Sequence, residues 1–131
     1  SINLNAQPNK NQGNKAEKDK IEQLKINFIN TELKLSAEES EKFWPIYDEL
    51  TRKLRIEKRI QKTTNNELKN NNNSLTELEF NKVLDSQIKV AQLNKEYNSK
   101  IAEVIGYKKA TELLSIERRF KRELLQKLKD K

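Results

Sequence analysis

An all-α fold follows from three features of the sequence. Only two glycines and two prolines occur in 131 residues, too few for the many tight connections of a β-rich protein. Apolar residues recur at intervals of three and four along most of the chain, which is the period of one helix face. Hydrophobic residues make up 34% and charged residues 36%; that is thin for a thick core but enough for helices that each bury a single stripe. Together they predict four main helices, with the long second and third forming a kinked antiparallel hairpin.

Residues 1–16 are rich in Asn, Gln and Lys and include Pro8 and Gly13. Without apolar periodicity, that stretch reads as a disordered tail, leaving 17–131 as a single helical domain. The first helix is expected over 17–34, where Ile21, Leu24, Phe28, Ile29 and Leu33 keep helical spacing. Ser36 followed by Glu39 is a capping box: the Ser hydroxyl takes an orphan amide of the first turn, and the carboxylate takes the Ser amide. Glu38, Glu39 and Glu41 also suit the positive end of a helix dipole.

The second helix is expected over 37–69. Phe43, Tyr47, Leu50 and Leu54 form its main stripe, and Ile46, Ile56 and Ile60 lie to one side. Pro45 falls inside this pattern, which continues in phase, so a kink is expected and not an end. Residues 70–73 are a polar loop by composition, closed by Ser74. Thr76 and Glu79 repeat the capping-box spacing. A third helix runs from there to about residue 105, with Val83, Val90, Tyr97 and Val104 recurring every seven residues, flanked by Phe80, Leu84, Ala91 and Ile101. Gly106 suits the position just past a helix end. A fourth helix over 108–129 carries Leu113, Ile116, Phe120, Leu124 and Leu128.

The chain has no Cys, His or Met. Disulfides and thiol chemistry are therefore excluded for these residues. So are the commonest general base and the softer metal ligands. No cofactor, metal site or enzymatic activity is expected, since no Gly-rich phosphate loop or acidic calcium loop occurs either. Lys and Arg number 27 against 20 acids, a net charge of +7. That balance suits nucleic acid, an anionic membrane surface or an acidic protein equally. No apolar run is long enough to span a bilayer. The sequence opens on Ser1, and a processed exported product is expected, with Ser1–Gln7 either the end of a signal peptide or the start of a mature chain.

Two motifs carry a resemblance to a known family. Leu35-Ser36-x-x-Glu39 resembles the LTxxQ signature of the Spy/CpxP-like periplasmic helical proteins, with conservative changes at two of three fixed positions. Glu41-Lys42-Phe43-Trp44-Pro45-Ile46-Tyr47 is similar to a Bacteroidetes-type branch often labelled a sensor of an extracytoplasmic-function sigma factor. The run from Glu117 through Arg118, Arg119 and Phe120 to Leu125 is similar to that branch's last helix. The similarity covers about residues 20–128. A second LTxxQ before the last helix is missing, and the His, Cys and Met of metal-responsive relatives are absent. The resemblance implies four helices in a bent hairpin, a cradle-shaped homodimer, a periplasmic location and a role in envelope stress.

Candidate sites follow. Glu38, Glu39 and Glu41 are read as cap and dipole partners, not as an acid–base pair. Trp44 leaves the main stripe, so it either packs on a neighbouring helix or faces a partner. Arg52, Lys53, Arg55, Lys58, Arg59 and Lys62 surround Ile56 and Ile60 with one acid, Glu57, among them. A solvated face is the ordinary meaning of such a run, but cations alternating with apolar residues also suit protein binding. Arg52, Arg55, Ile56, Arg59 and Ile60 are therefore taken as a protein-binding face, with Arg118, Arg119 and Arg122 as a second basic block. The expected function is non-covalent, chaperone-like binding of unfolded or membrane-associated partner protein. A regulator docking on one membrane signalling or sigma-factor control protein is the alternative. A nucleic-acid-binding helical protein is the second alternative, weakened by the lack of any recognition motif.

Overall fold

The computed structural model describes residues 10–71 and 76–130. They form three α-helices and no strand: α1 (Lys10–Leu33), α2 (Ala37–Asn71) and α3 (Glu77–Lys129). The described residues group into two compact units, one of residues 35–110 and one that joins the described residues up to 34 with those from 111 on.

α1 begins at Lys10, ahead of the expected residue 17. The helix therefore includes residues 10–16 of the expected tail; residues 1–9 of that tail lie outside the described residues. Lys, Gln and Ala are good helix formers, and extending an existing helix adds one hydrogen bond per residue fixed without a new nucleus. At the other end, Lys34 takes φ 50° and its amide donates to the Asn30 carbonyl at 3.2 Å. That single bond from a left-handed residue is an αL cap. The helix thus stops through backbone geometry at a position usually held by Gly or Asn.

Both capping boxes form. Ser36 N donates to Glu39 Oε1 at 3.0 Å, and Glu39 N donates to Ser36 Oγ at 3.1 Å. Thr76 N donates to Glu79 Oε2 at 3.2 Å, and Glu79 N to Thr76 Oγ1 at 3.4 Å. α2 continues through Pro45 and on to Asn71, two residues past the expected end at 69. Residues 72–75, the rest of the expected loop with Ser74 and Leu75, lie outside the described residues.

In the Leu35–Ala110 unit, α2 and α3 are antiparallel. Glu39 meets Lys109 at 2.9 Å, Lys53 meets Tyr97 at 2.5 Å and Gln61 meets Ser86 at 3.1 Å, so partners descend on α3 as they ascend on α2. The core of this seam is Leu50, Leu93 and Tyr97, with Ile46 and Leu54 packed against it. Each such aliphatic side chain contributes about 1.5–3 kcal/mol when fully buried. Farther toward the C-terminal end of α2 the seam turns polar. Ser86 is buried; its hydroxyl donates to the Glu57 carbonyl at 3.1 Å and accepts from Gln61. Thr64 is buried too and donates to the Ile60 carbonyl at 3.1 Å.

The third and fourth helices expected from the sequence are one element, α3, with Gly106 as its only non-helical residue at φ 84°, ψ 159°. This backbone region is open to glycine alone in practice. Gly106 therefore marks a kink at the position where the sequence puts a helix boundary, with a helical segment on each side of it.

In the terminal unit, Ile29 and Leu33 of α1 and Leu113 and Ile116 of α3 are buried. The rings of Phe28 and Phe120 lie 5.7 Å apart. Lys25 pairs with Glu117 at 3.9 Å, and Arg119 with Glu32 at 3.3 Å.

Candidate protein-binding surfaces

The motif region at the start of α2 builds an aromatic cluster. Phe43 and Tyr47 are one turn apart and stack at 5.3 Å between ring centroids. Trp44 meets both edge-on, at 4.8 Å and 5.5 Å. Phe43 and Tyr47 are buried, Trp44 is half-buried and Pro45 is exposed. Trp44 thus packs on its own helix while keeping part of its surface open.

Leu35 is half-buried and Ser36 exposed. Glu39 carries more than its cap, because Lys109 also donates to it. The Ser36 amide first, and then Lys109, hold the Glu39 carboxyl below the ordinary glutamate value. Farther along the seam, the Tyr97 hydroxyl and then Lys53 hold Glu49 below its ordinary value. The same hydroxyl, with Glu49 adding to it, raises Lys53. Lys53 and Lys100 also lie 5.0 Å and 4.7 Å from the Tyr97 ring centroid. Lys53, read from the sequence as part of a basic surface, is thereby tied to the seam.

The remaining basic run of α2 lies on the surface. Arg52, Arg55 and Arg59 are exposed, Ile56 is 52% exposed and Ile60 is half-buried. The second basic block divides. Arg118 and Arg122 are exposed, but Arg119 is half-buried, paired to Glu32 and set 6.0 Å from the Phe28 ring centroid. Arg119 therefore also ties α3 to α1 within the terminal unit, while its side chain stays 40% exposed. The two blocks belong to different compact units.

Sequence reading missed a further surface. Phe80, Leu84 and Ile88 stand four residues apart on α3 and are 56%, 39% and 56% exposed. Phe80 and Leu84 had been placed beside the buried seam. The seam follows the expected Val83, Val90 and Tyr97, joined by Ser86 and Leu93, and Leu84 and Ile88 are left facing outward. A second stripe results, reading Glu77, Asn81, Leu84, Ile88, Ala91 and Lys95, all exposed. Its alternating steps of four and three are those of a coiled-coil seam.

Among the described residues, no three His, Cys, Asp or Glu side chains converge to hold a metal ion. No helix among them is long and apolar enough to cross a membrane. No family model, curated protein or solved structure matches the chain.

Proposed function

We propose that the chain is a non-enzymatic, exported binding protein of the Spy/CpxP-like kind, which holds unfolded or partner protein by reversible surface contact. The observation that carries this reading is the exposed Ile56, set among Arg52, Arg55 and Arg59 with Ile60 one turn on. Such a face offers apolar area that gains free energy on burial and cations that speed encounter. Long Arg side chains also adapt their stems to varied contacts. The test is suppression of aggregation of a denatured client, followed by light scattering. Changing Ile56 and Ile60 to Ser should weaken protection while helix content stays near wild type. Unchanged protection by a folded double variant would place client binding elsewhere. One tight stoichiometric complex with a single envelope protein, without general protection, would favour the regulator.

The finer architecture belongs to the same proposal. Two copies pair along α3, covering the stripe centred between Leu84 and Ile88. The stripe is self-complementary about a two-fold axis at residue 86. Leu84 then faces Ile88 of the second copy, Ala91 faces Asn81, and Glu77 faces Lys95. An isologous interface requires this kind of self-match, and opposite charges at the two ends fix the antiparallel direction. A small chain gains apolar burial by such pairing.

A further inference from the structure

The last stretch of α3 carries a second amphipathic face that the binding reading above does not use. Leu113, Ile116, Phe120 and Leu124 point inward, buried or half-buried. On the other side, Leu114, Arg118, Lys121, Leu125 and Leu128 follow one another in steps of four and three, with Arg122 beside them, and all are exposed. The three leucines remain 46%, 51% and 56% exposed. Acids are kept off this face. Glu112, Glu123 and Asp130 fall on the far side by helical spacing, and Glu117 at its edge is paired to Lys25. The result is a helix surface of leucine and cation only, about 20 Å long at 1.5 Å per residue.

We propose that this face docks on an anionic phospholipid surface. Leucines enter the boundary between headgroups and acyl chains while Arg and Lys extend to the phosphates, the arrangement of interfacial basic helices. Cations near an anionic leaflet each add attraction, and apolar burial supplies the rest. Other anions fit less of the face. Nucleic acid would use the cations, but the leucines would gain nothing from a phosphate groove, and no aromatic ring is there to stack on bases. A protein interface concentrates its binding in Trp, Tyr and Arg and depletes Lys; this face has no aromatic residue. The contact is peripheral, since no helix among the described residues can span the bilayer.

The test is co-sedimentation of the full chain with vesicles of phosphatidylcholine, with and without phosphatidylglycerol. Binding is expected only with phosphatidylglycerol and should weaken as salt is added. Changing Arg118, Lys121 and Arg122 together to Gln should lower vesicle affinity on the order of a hundredfold. Changing Leu114, Leu125 and Leu128 to Ser should lower it at least about tenfold. Both variants should keep wild-type helix content by circular dichroism, because the altered side chains are exposed. Equal binding to the two vesicle types would overturn the proposal. So would absence of binding at low salt, or vesicle affinity unchanged in the cation variant. Binding to duplex DNA or polyglutamate in place of vesicles would overturn it as well. Should a variant unfold, the single exchanges Arg118→Gln and Leu125→Ser in the full chain give the second measurement: unchanged vesicle affinity in both counts against the proposal, and weakened affinity in both supports it.

Discussion

One carboxylate oxygen of Glu39 accepts two donors: the amide of Ser36 three residues before it, at 3.0 Å, and the ammonium of Lys109 seventy residues after it, at 2.9 Å. A local helix cap and a long-range tie between α2 and α3 therefore share an atom. Ser36→Ala removes one half of the cap and should cost about 1 kcal/mol, read as a lower midpoint in denaturant titration. No change in midpoint would count against the cap.

The same oxygen gives a pH dependence with a definite sign. Glu39 is held below its ordinary value in the folded protein. Its contribution is thus fully present above the unfolded glutamate value, about pH 4.3, and is lost as pH falls through that value toward the folded one. Glu39→Gln should flatten the acid side of the stability profile. Lys109→Met should flatten it less, because the Ser36 amide remains. Equal profiles for wild type and Glu39→Gln would remove the coupling.

Gly106 is the residue that lets α3 change course. A Cβ built there meets nothing within 4 Å, so the cost of a side chain is purely one of backbone conformation. Gly106→Ala should destabilise by about 1–3 kcal/mol. A variant of unchanged stability would mean that the backbone at 106 is not held at positive φ in solution.

Pairing along the α3 stripe predicts a charge-swap pattern. Glu77→Lys or Lys95→Glu alone should weaken self-association by placing like charges across the two-fold axis, and the double exchange should restore it. Sedimentation at roughly tens of micromolar, a range that reads micromolar constants, distinguishes these outcomes. Leu84→Asp should give monomer. A wild-type chain that is monomeric throughout this range would rule out the pairing.

Local features were legible in the sequence because their rules span three or four residues. Both capping boxes, the run of α2 through Pro45 and the special conformation of Gly106 follow from spacing or from a single residue type. The outward turn of Leu84 was not legible. Reading apolar periodicity assumes that the buried seam is apolar, but this seam passes through Ser86 and Thr64, whose hydroxyls are buried because helix carbonyls accept from them. Apolar letters beside a polar seam are then assigned inward. The ion pair of Arg119 was not legible either. Its partner Glu32 lies 87 residues away, and nothing in a local charge run announces such a partner. The run from Arg52 to Ile60 was readable as a charge and apolar pattern, and the exposure of Ile56 follows from how α2 packs.

The change of character along the α2–α3 seam divides the hairpin into parts of unequal persistence. Near Leu50, Leu93 and Tyr97, separation of the helices exposes aliphatic and aromatic surface, so opening there approaches global unfolding. Near Gln61, Thr64 and Ser86, water can replace each lost protein partner, and opening costs far less. Amide protons beyond Glu57 on α2 and before Ser86 on α3 should therefore exchange through a separate, shallower opening than those around Leu50 and Tyr97. The polar end of this seam becomes a partly independent folding unit, able to loosen and re-form while the apolar end keeps the two helices in register.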